Sequence, residues 1–197
     1  MFIMNDRCKL PYNLDSKDWY AREALAENPD TPGEALALLA TDKDWGVRLA
    51  VAKNPNTPAE TLDRLATDKD SYVRYAVACN PVTSGEVLNR LTTDKDLTVR
   101  CGVAGNPNTP AEMLAVLATD KDSYVRKAVA GNTNVPEPIL LQLSRDHSPW
   151  VREAVAGNAK IPPEAITLLC FSEESDIRKA LSENPAVPEH IRVGLVL

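Results

Sequence analysis

The string Val-Arg-x-Ala-Val-Ala-x-Asn-Pro recurs along this chain with a constant step of 26 residues, and that period limits the possible folds more than any other feature. Its second-position arginine recurs as Arg22, Arg48, Arg74, Arg100, Arg126, Arg152 and Arg178, and its eighth-position asparagine as Asn28, Asn54, Asn80, Asn106, Asn132, Asn158 and Asn184. A unit this short cannot bury its own apolar face, so it is stable only when stacked on copies of itself. Seven such repeats fill residues 21–197, and residues 1–20 are expected to form an N-terminal cap.

Each repeat reads as two short helices. Asp70 stands where an N-cap would, and Val73, Ala76, Val77 and Asn80 then follow at i, i+3, i+4 and i+7, giving one apolar face. Asn80-Pro81 ends that helix, because a residue before proline is pushed out of the α region and proline donates no helical hydrogen bond. Thr57-Pro58-Ala59-Glu60 predicts a capping box for the second helix, with Thr57 as N-cap and Glu60 at N3; Leu62, Leu65 and Ala66 supply its apolar stripe. Helices below about 12–15 residues are marginal alone, so packing between repeats must hold them. Seven units at a spacing of roughly 8–10 Å predict a curved rod with a long surface and no deep cleft.

The full string Val-Arg-x-Ala-Val-Ala-x-Asn-Pro-x-Thr-Pro-x-Glu-x-Leu-x-x-Leu-Ala-x-Asp-x-Asp resembles the leucine-rich repeat variant family, best in Val47–Tyr72 and Val99–Tyr124. The resemblance implies an all-α, right-handed superhelical solenoid of two-helix repeats in which one helix of each pair is α or 3₁₀. The related HEAT class shares an aspartate closely followed by Val-Arg and supports the same architecture. Some family members carry an N-terminal cysteine-rich iron–sulfur module. The first 20 residues here hold only Cys8, a departure from that pattern, so no cofactor is expected.

Composition narrows the function. The balance of 28 acidic against 22 basic residues, net −6, disfavours general affinity for nucleic acid or an anionic membrane. Met1 to Met4 is too short an apolar run for a signal or a span, and the four dispersed cysteines form no C-x-x-C pair. A cytoplasmic protein with free thiols is expected.

The arginine row supports two readings. Arg48, Arg74, Arg100, Arg126 and Arg152 could track a phosphate backbone, which makes a nucleic-acid-binding solenoid the alternative function. The structural reading lays each stem over the core and pairs each guanidinium with an aspartate of a neighbouring repeat, the candidates being Asp42, Asp68, Asp94, Asp120 and Asp146. The net charge favours this ladder. The second aspartate of each Thr-Asp-Lys-Asp tetrad is explained by helix capping; no metal is expected, because a lysine separates each carboxylate pair and no calcium-loop pattern surrounds it. The asparagines are expected to close their own turns through their side chains, over an alternative role in binding an extended peptide. Ser144-Arg145-Asp146-His147-Ser148 contains the letters of a triad without a nucleophile elbow, there is no phosphate-binding glycine loop, and no catalytic residue is assigned.

Positions three and seven of the first helix lie opposite its apolar stripe and are predicted to face solvent. Along the array they are charged at the ends and apolar in the middle, so Leu49, Tyr75, Cys79 and Cys101, ringed by Lys53 and Lys127, form the predicted partner-binding patch. Val47–Tyr72 and Val99–Tyr124 share 20 of 26 residues, and their differences fall mostly at such outer positions, which therefore tolerate change. Trp19, Tyr20, Trp45, Tyr72, Tyr124 and Trp150 all occupy the two loop positions before a first helix and are expected to wedge between repeats as core, over an alternative role as a base-stacking platform. Val193, Leu195, Val196 and Leu197 leave an apolar end, so a monomer capped by its last helix and an end-to-end homodimer are both expected forms. Together these features predict a non-enzymatic scaffold that binds a protein partner on the outer face of its first helices.

Overall fold

An aspartate opens most of the first helices and an asparagine closes every one of them. The computed structural model describes residues 17–195 and contains fourteen helices and no strand among them. The first helices are α1 (Trp19–Glu27), α3 (Trp45–Lys53), α5 (Ser71–Cys79), α7 (Leu97–Gly105), α9 (Ser123–Gly131), α11 (Pro149–Gly157) and α13 (Ser175–Glu183). The second helices are α2 (Gly33–Leu39), α4 (Ala59–Leu65), α6 (Gly85–Leu91), α8 (Ala111–Leu117), α10 (Glu137–Leu143), α12 (Pro163–Leu169) and α14 (Glu189–Gly194). Both helices of each described repeat are α, which resolves the choice left open by the family resemblance.

Local chemistry sets these boundaries. Asp70 accepts from the Tyr72 amide at 2.9 Å and caps α5; Asp18, Asp44, Asp96 and Asp122 cap their helices in the same way. Asn54 closes α3 in an extended conformation, φ −67°, ψ 127°, as its place before Pro55 requires. No described residue has a positive φ, so the turns use proline rather than left-handed glycine to change direction.

The capping box expected at Thr57 does not form. Pro58 is the N-cap of α4, and the buried Thr57 hydroxyl instead donates backwards to the Val51 carbonyl at 2.6 Å. The Asn-Pro-x-Thr turn folds the threonine under the end of α3, and a hydroxyl sealed there must use an acceptor within reach. Thr31, Thr83 and Thr109 repeat the arrangement. Val135, Ile161 and Val187 fill the same buried slot in later repeats.

The chain divides into two compact units, Met1–Leu91 and Thr92–Leu197. In the first unit α1, α3 and α5 pack side by side in order, and in the second α7, α9, α11 and α13 do the same. Val47, Val51, Val73 and Val77 meet Leu36, Leu62 and Leu88 in the core of the first unit, all of them fully buried. In the second, Val99, Val103, Val125, Val129, Val151 and Val155 play that part against Leu114, Leu117, Leu140 and Leu143. Full burial of such a side chain contributes about 1.5–3 kcal/mol, which is how helices of seven or nine residues persist.

The aromatic residues correct the sequence expectation. None of the six wedges into the core, and each is the first or second residue of a first helix rather than part of the loop before it; their exposures run from 48% for Trp45 to 66% for Tyr20. The reason is angular. Trp45 precedes the core residue Val47 by two positions and Tyr72 precedes Val73 by one, so at about 100° per residue their side chains leave the apolar stripe. They meet each other instead: Trp45 lies against Tyr72 at 6.1 Å between centroids with the rings tilted by 37°, Trp19 meets Tyr20 edge to face, and Tyr124 stacks on Trp150 at 6.2 Å with rings only 17° from parallel.

Of the expected N-terminal cap, Trp19 and Tyr20 already belong to α1, and residues 1–16, with Cys8 and the Met1 to Met4 run, lie outside the described residues. Val196 and Leu197 also lie outside them, while Val193 is exposed. No described helix is long and apolar enough to cross a membrane.

Candidate functional site

The arginine row is consumed by the stack. Arg22 donates from Nε and Nη2 to the two carboxylate oxygens of Asp42 at 2.6 and 3.0 Å, and Arg48 reaches Asp68 in the same bidentate manner at 2.5 and 3.0 Å. In the second unit Arg100 pairs with Asp120 and Arg126 with Asp146. Each of these aspartates lies 20 residues beyond its arginine. The remaining terminal nitrogen turns into the loop before the arginine's own helix, so Arg48 Nη1 meets the carbonyls of Asp42 and Lys43. Arg74 and Arg152 make the equivalent loop contacts.

Arg22, Arg48, Arg74 and Arg100 are only 5–7% exposed, and a guanidinium so committed has little to offer a phosphate. Where the pattern lapses, the pair migrates: Ser172 replaces the aspartate, and Arg152 finds Glu174 at 2.5 Å in a more open setting. Burial alone would raise the carboxyl pKa values of Asp68, Asp120 and Asp146, but the arginine hydrogen bonds and the backbone amide two residues on outweigh it and hold all three below the usual range. The arginines are raised in turn, chiefly by the same hydrogen bonds and against desolvation.

The asparagine row is equally internal. Asn54 Oδ1 accepts from the Asn56 amide and closes its own turn, as expected, while Nδ2 crosses to the preceding repeat and donates to the carbonyls of Ala26 and Asn28 at 2.8 and 2.9 Å. Asn80, Asn132, Asn158 and Asn184 repeat that bridge. A single invariant amide thus satisfies an end of its own helix and an end of its neighbour's. The period in the sequence signalled the turn; nothing in it revealed the second acceptor.

Once arginine, aspartate, asparagine and threonine are used within the stack, the outer positions of the first helices remain. In the first unit Lys53, Tyr75 and Cys79 are exposed and Leu49 is half-buried, on α3 and α5. Cys101, half-buried, and Lys127, exposed, occupy the matching positions on α7 and α9 in the second unit. Burial pushes the Cys79 thiol up against a smaller opposing effect of its hydrogen bond with Tyr75, and burial followed by the Asp122 carboxylate raises Cys101. Cys79, Cys101 and Cys170 are free.

An open groove in the second unit runs past Gly131, Thr133, Ala154, Gly157, Asn158 and Lys160. It holds one cation and no acid–base pair. Among the described residues no three His, Cys, Asp or Glu side chains converge as metal ligands.

Comparison with known proteins agrees with this geometry. The family model described as leucine rich repeat variant matches residues 19–44, 45–70 and 97–122. The solved structure of a leucine-rich repeat variant with a novel repetitive structural motif is 30% identical, with a TM-score of 0.66, and the match covers 93% of this chain and 77% of that one. The X-ray structure of YibA from E. coli is 21% identical over 92% of this chain and 73% of that one, with a TM-score of 0.49. No curated protein matches the chain.

Proposed function

This chain belongs to the leucine-rich repeat variant family, and from that premise we propose that it is a non-enzymatic scaffold that binds a protein partner on the outer face of its first helices. Helical repeat solenoids of this class are generally interaction modules. One observation carries the finer reading. The repeated polar side chains are spent on holding repeat to repeat, whereas the residues that vary between repeats lie on the outer face, where α3 and α5 present Leu49, Lys53, Tyr75 and Cys79. A surface built on stacked helices is rigid before the partner arrives, so little conformational entropy is lost on docking. Leu49 and Tyr75 are the apolar anchor and Lys53 belongs to the polar rim; Cys101 and Lys127 extend the same role to the second unit.

The test is affinity capture from the source cell's extract with nuclease-treated and untreated halves, using the wild-type chain and Tyr75→Glu. A discrete protein held in both halves and lost with Tyr75→Glu, at unchanged helicity, supports the reading. Equal capture by the variant removes this patch. Nucleic acid enriched on the wild type and lost with Arg100→Ala, in a protein that stays folded, would move the assignment to the arginine row.

A further inference from the structure

The aromatic side chains that the core leaves out form a row of their own in the first unit. Trp19 on α1 and Trp45 on α3 hold the same place in successive repeats, and Tyr72 on α5 stands one residue further along its helix with its ring against Trp45. Helices α1, α3 and α5 pack side by side, so the three rings follow one another along the unit, and Tyr20 adds a fourth, edge to face with Trp19. The row continues the first-helix patch. Residues three or four apart share a helix face, which sets Trp45 over Leu49 on α3 and Tyr72 over Tyr75 on α5.

The polar tips of this row are unused. Among the described residues neither the indole nitrogens of Trp19 and Trp45 nor the hydroxyl of Tyr72 has a hydrogen-bond partner. Charge along the rim nearly cancels, since Lys17, Lys43 and Lys69 are each followed by a cap aspartate, Asp18, Asp44 and Asp70, and Arg48 is paired with Asp68. One carboxylate is left over. Gly46 holds the position that Tyr20 and Tyr72 fill in the neighbouring repeats, and the room it leaves is taken by Glu23 of α1, whose Oε1 lies 3.2 Å from where a Cβ on Gly46 would stand. Glu23 is thereby held next to Trp45, and among the described residues it has no hydrogen bond or ion pair.

We propose that this row docks a proline-rich segment of a partner protein, extended across α1, α3 and α5 with a basic residue against Glu23. Three features select that occupant. A polyproline II helix advances about 9.3 Å per three-residue turn, within the roughly 8–10 Å between packed helices, so every third residue meets the ring of the next repeat. Such a segment makes no internal hydrogen bonds, so its carbonyls accept from the indole and phenol tips, which an α-helix with its carbonyls already used would leave unpaired. A rim of balanced charge with one carboxylate to spare gives nucleic acid and anionic lipid no attraction and favours a single lysine or arginine.

This occupant rests on the reading of the first-helix outer face as a docking surface, and separate variants test the two. Four probes are titrated into the isotope-labelled full chain: a proline-rich peptide of about twelve residues with one arginine, its counterpart with alanine for every proline, its counterpart with glutamate for the arginine, and oligothymidylate. The tryptophans Trp19, Trp45 and Trp150 give three indole N–H signals in NMR spectra. The expected result is movement of the Trp45 and Trp19 signals, with Trp150 moving least, and binding of the proline–arginine peptide at least about tenfold tighter than the alanine peptide and about threefold tighter than the glutamate one. Trp45→Ala with Tyr72→Ala should weaken it by about tenfold or more. Trp45→Phe with Tyr72→Phe, which keeps the rings and removes the donors, should weaken it by about threefold or more. Glu23→Gln should bring the arginine and glutamate peptides within about twofold of each other, and Trp150→Phe should change nothing. Unchanged circular dichroism confirms the fold of each variant. Equal binding of the alanine peptide, tighter binding of oligothymidylate, the largest shift at Trp150, or full affinity in the Trp45→Ala, Tyr72→Ala variant overturns the proposal. So does self-association of the free chain that this variant abolishes, because a second copy would then occupy the row. If the proline–arginine peptide fails to bind while protein capture still depends on Tyr75, the proline-rich occupant falls and the first-helix patch stands. If it binds as expected and capture is indifferent to Tyr75→Glu, the patch centred on Tyr75 falls and the aromatic row stands.

Discussion

Replacing Asp68 by alanine should cost the protein far more than replacing Glu174, although both residues are ion-pair partners of a repeat arginine. Asp68 accepts from Arg48 Nε and Nη2 and from the Asp70 amide, at 2.5, 3.0 and 2.9 Å, and the side chains of the pair are each only 8% exposed. Its removal leaves a largely buried guanidinium with only its Nη1 loop carbonyls, and breaking a buried pair from one side costs about 3–5 kcal/mol. Glu174 is 42% exposed in its side chain, and its loss leaves Arg152 its loop carbonyls, so the expected cost is clearly smaller. Urea unfolding at pH 7, followed by far-ultraviolet circular dichroism, measures both; urea keeps the ionic strength constant, so screening is equal in every sample. Arg48→Lys should fall near the Asp68→Ala value, because an ammonium cannot span two carboxylate oxygens and two loop carbonyls at once. A cost below about 1 kcal/mol for Asp68→Ala, or equal costs for Asp68→Ala and Glu174→Ala, would refute the view that the ladder holds the repeats together.

Acid should dismantle the same ladder. Asp68, Asp120 and Asp146 have folded pKa values below their unfolded ones, so their stabilisation is complete above the unfolded carboxyl range near 3.9 and is lost as pH falls through the depressed folded values; melting temperatures from pH 7 to pH 2 should stay level and then drop below about pH 4. Two glycines should respond with opposite sign to alanine. An added Cβ at Gly131 meets nothing within 4 Å and should stabilise by up to about 1 kcal/mol, whereas at Gly33 it would stand 2.9 Å from Pro58 Cγ and should destabilise, both read as shifts in the urea midpoint. Thr57→Val should cost no more than about 1.5 kcal/mol in thermal melts, because the Val51 carbonyl keeps the Asn54 amide as donor and valine already fills this slot at Val135.

The family assignment bears on function through what it leaves free. In a solenoid each polar group repeated at a fixed period has a fixed neighbour, so repeated residues are the poorest candidates for recognising anything else. The arginines show this: a row of cations drawn along a sequence looks like a phosphate track, and folded, Arg22, Arg48, Arg100 and Arg126 are internal ion pairs while Arg178 is held by loop carbonyls. The proposed recognition surface is accordingly built from positions where one repeat differs from the next.

Much of this could be read before any coordinates. The 26-residue step, the apolar spacing of Val73, Ala76 and Val77, the Asp70 cap and the Asn80-Pro81 stop are local, and local stereochemistry defines helices and their ends wherever the chain goes. Even the Arg–Asp pairing was legible, because equal numbers of opposite charges at one period have few other arrangements. What was not legible depended on which groups a neighbouring repeat brings close. Thr57 had the sequence of a cap and became a donor to Val51; the Asn54 amide gained two carbonyls of the previous repeat; Trp45 and Tyr72, expected inside, found the core already filled by valines and lie against each other outside. Helix ends are settled by dihedral preferences within a few residues, whereas the destination of a side chain is settled by burial and by the competition of acceptors across the stack, and only packed repeats supply those.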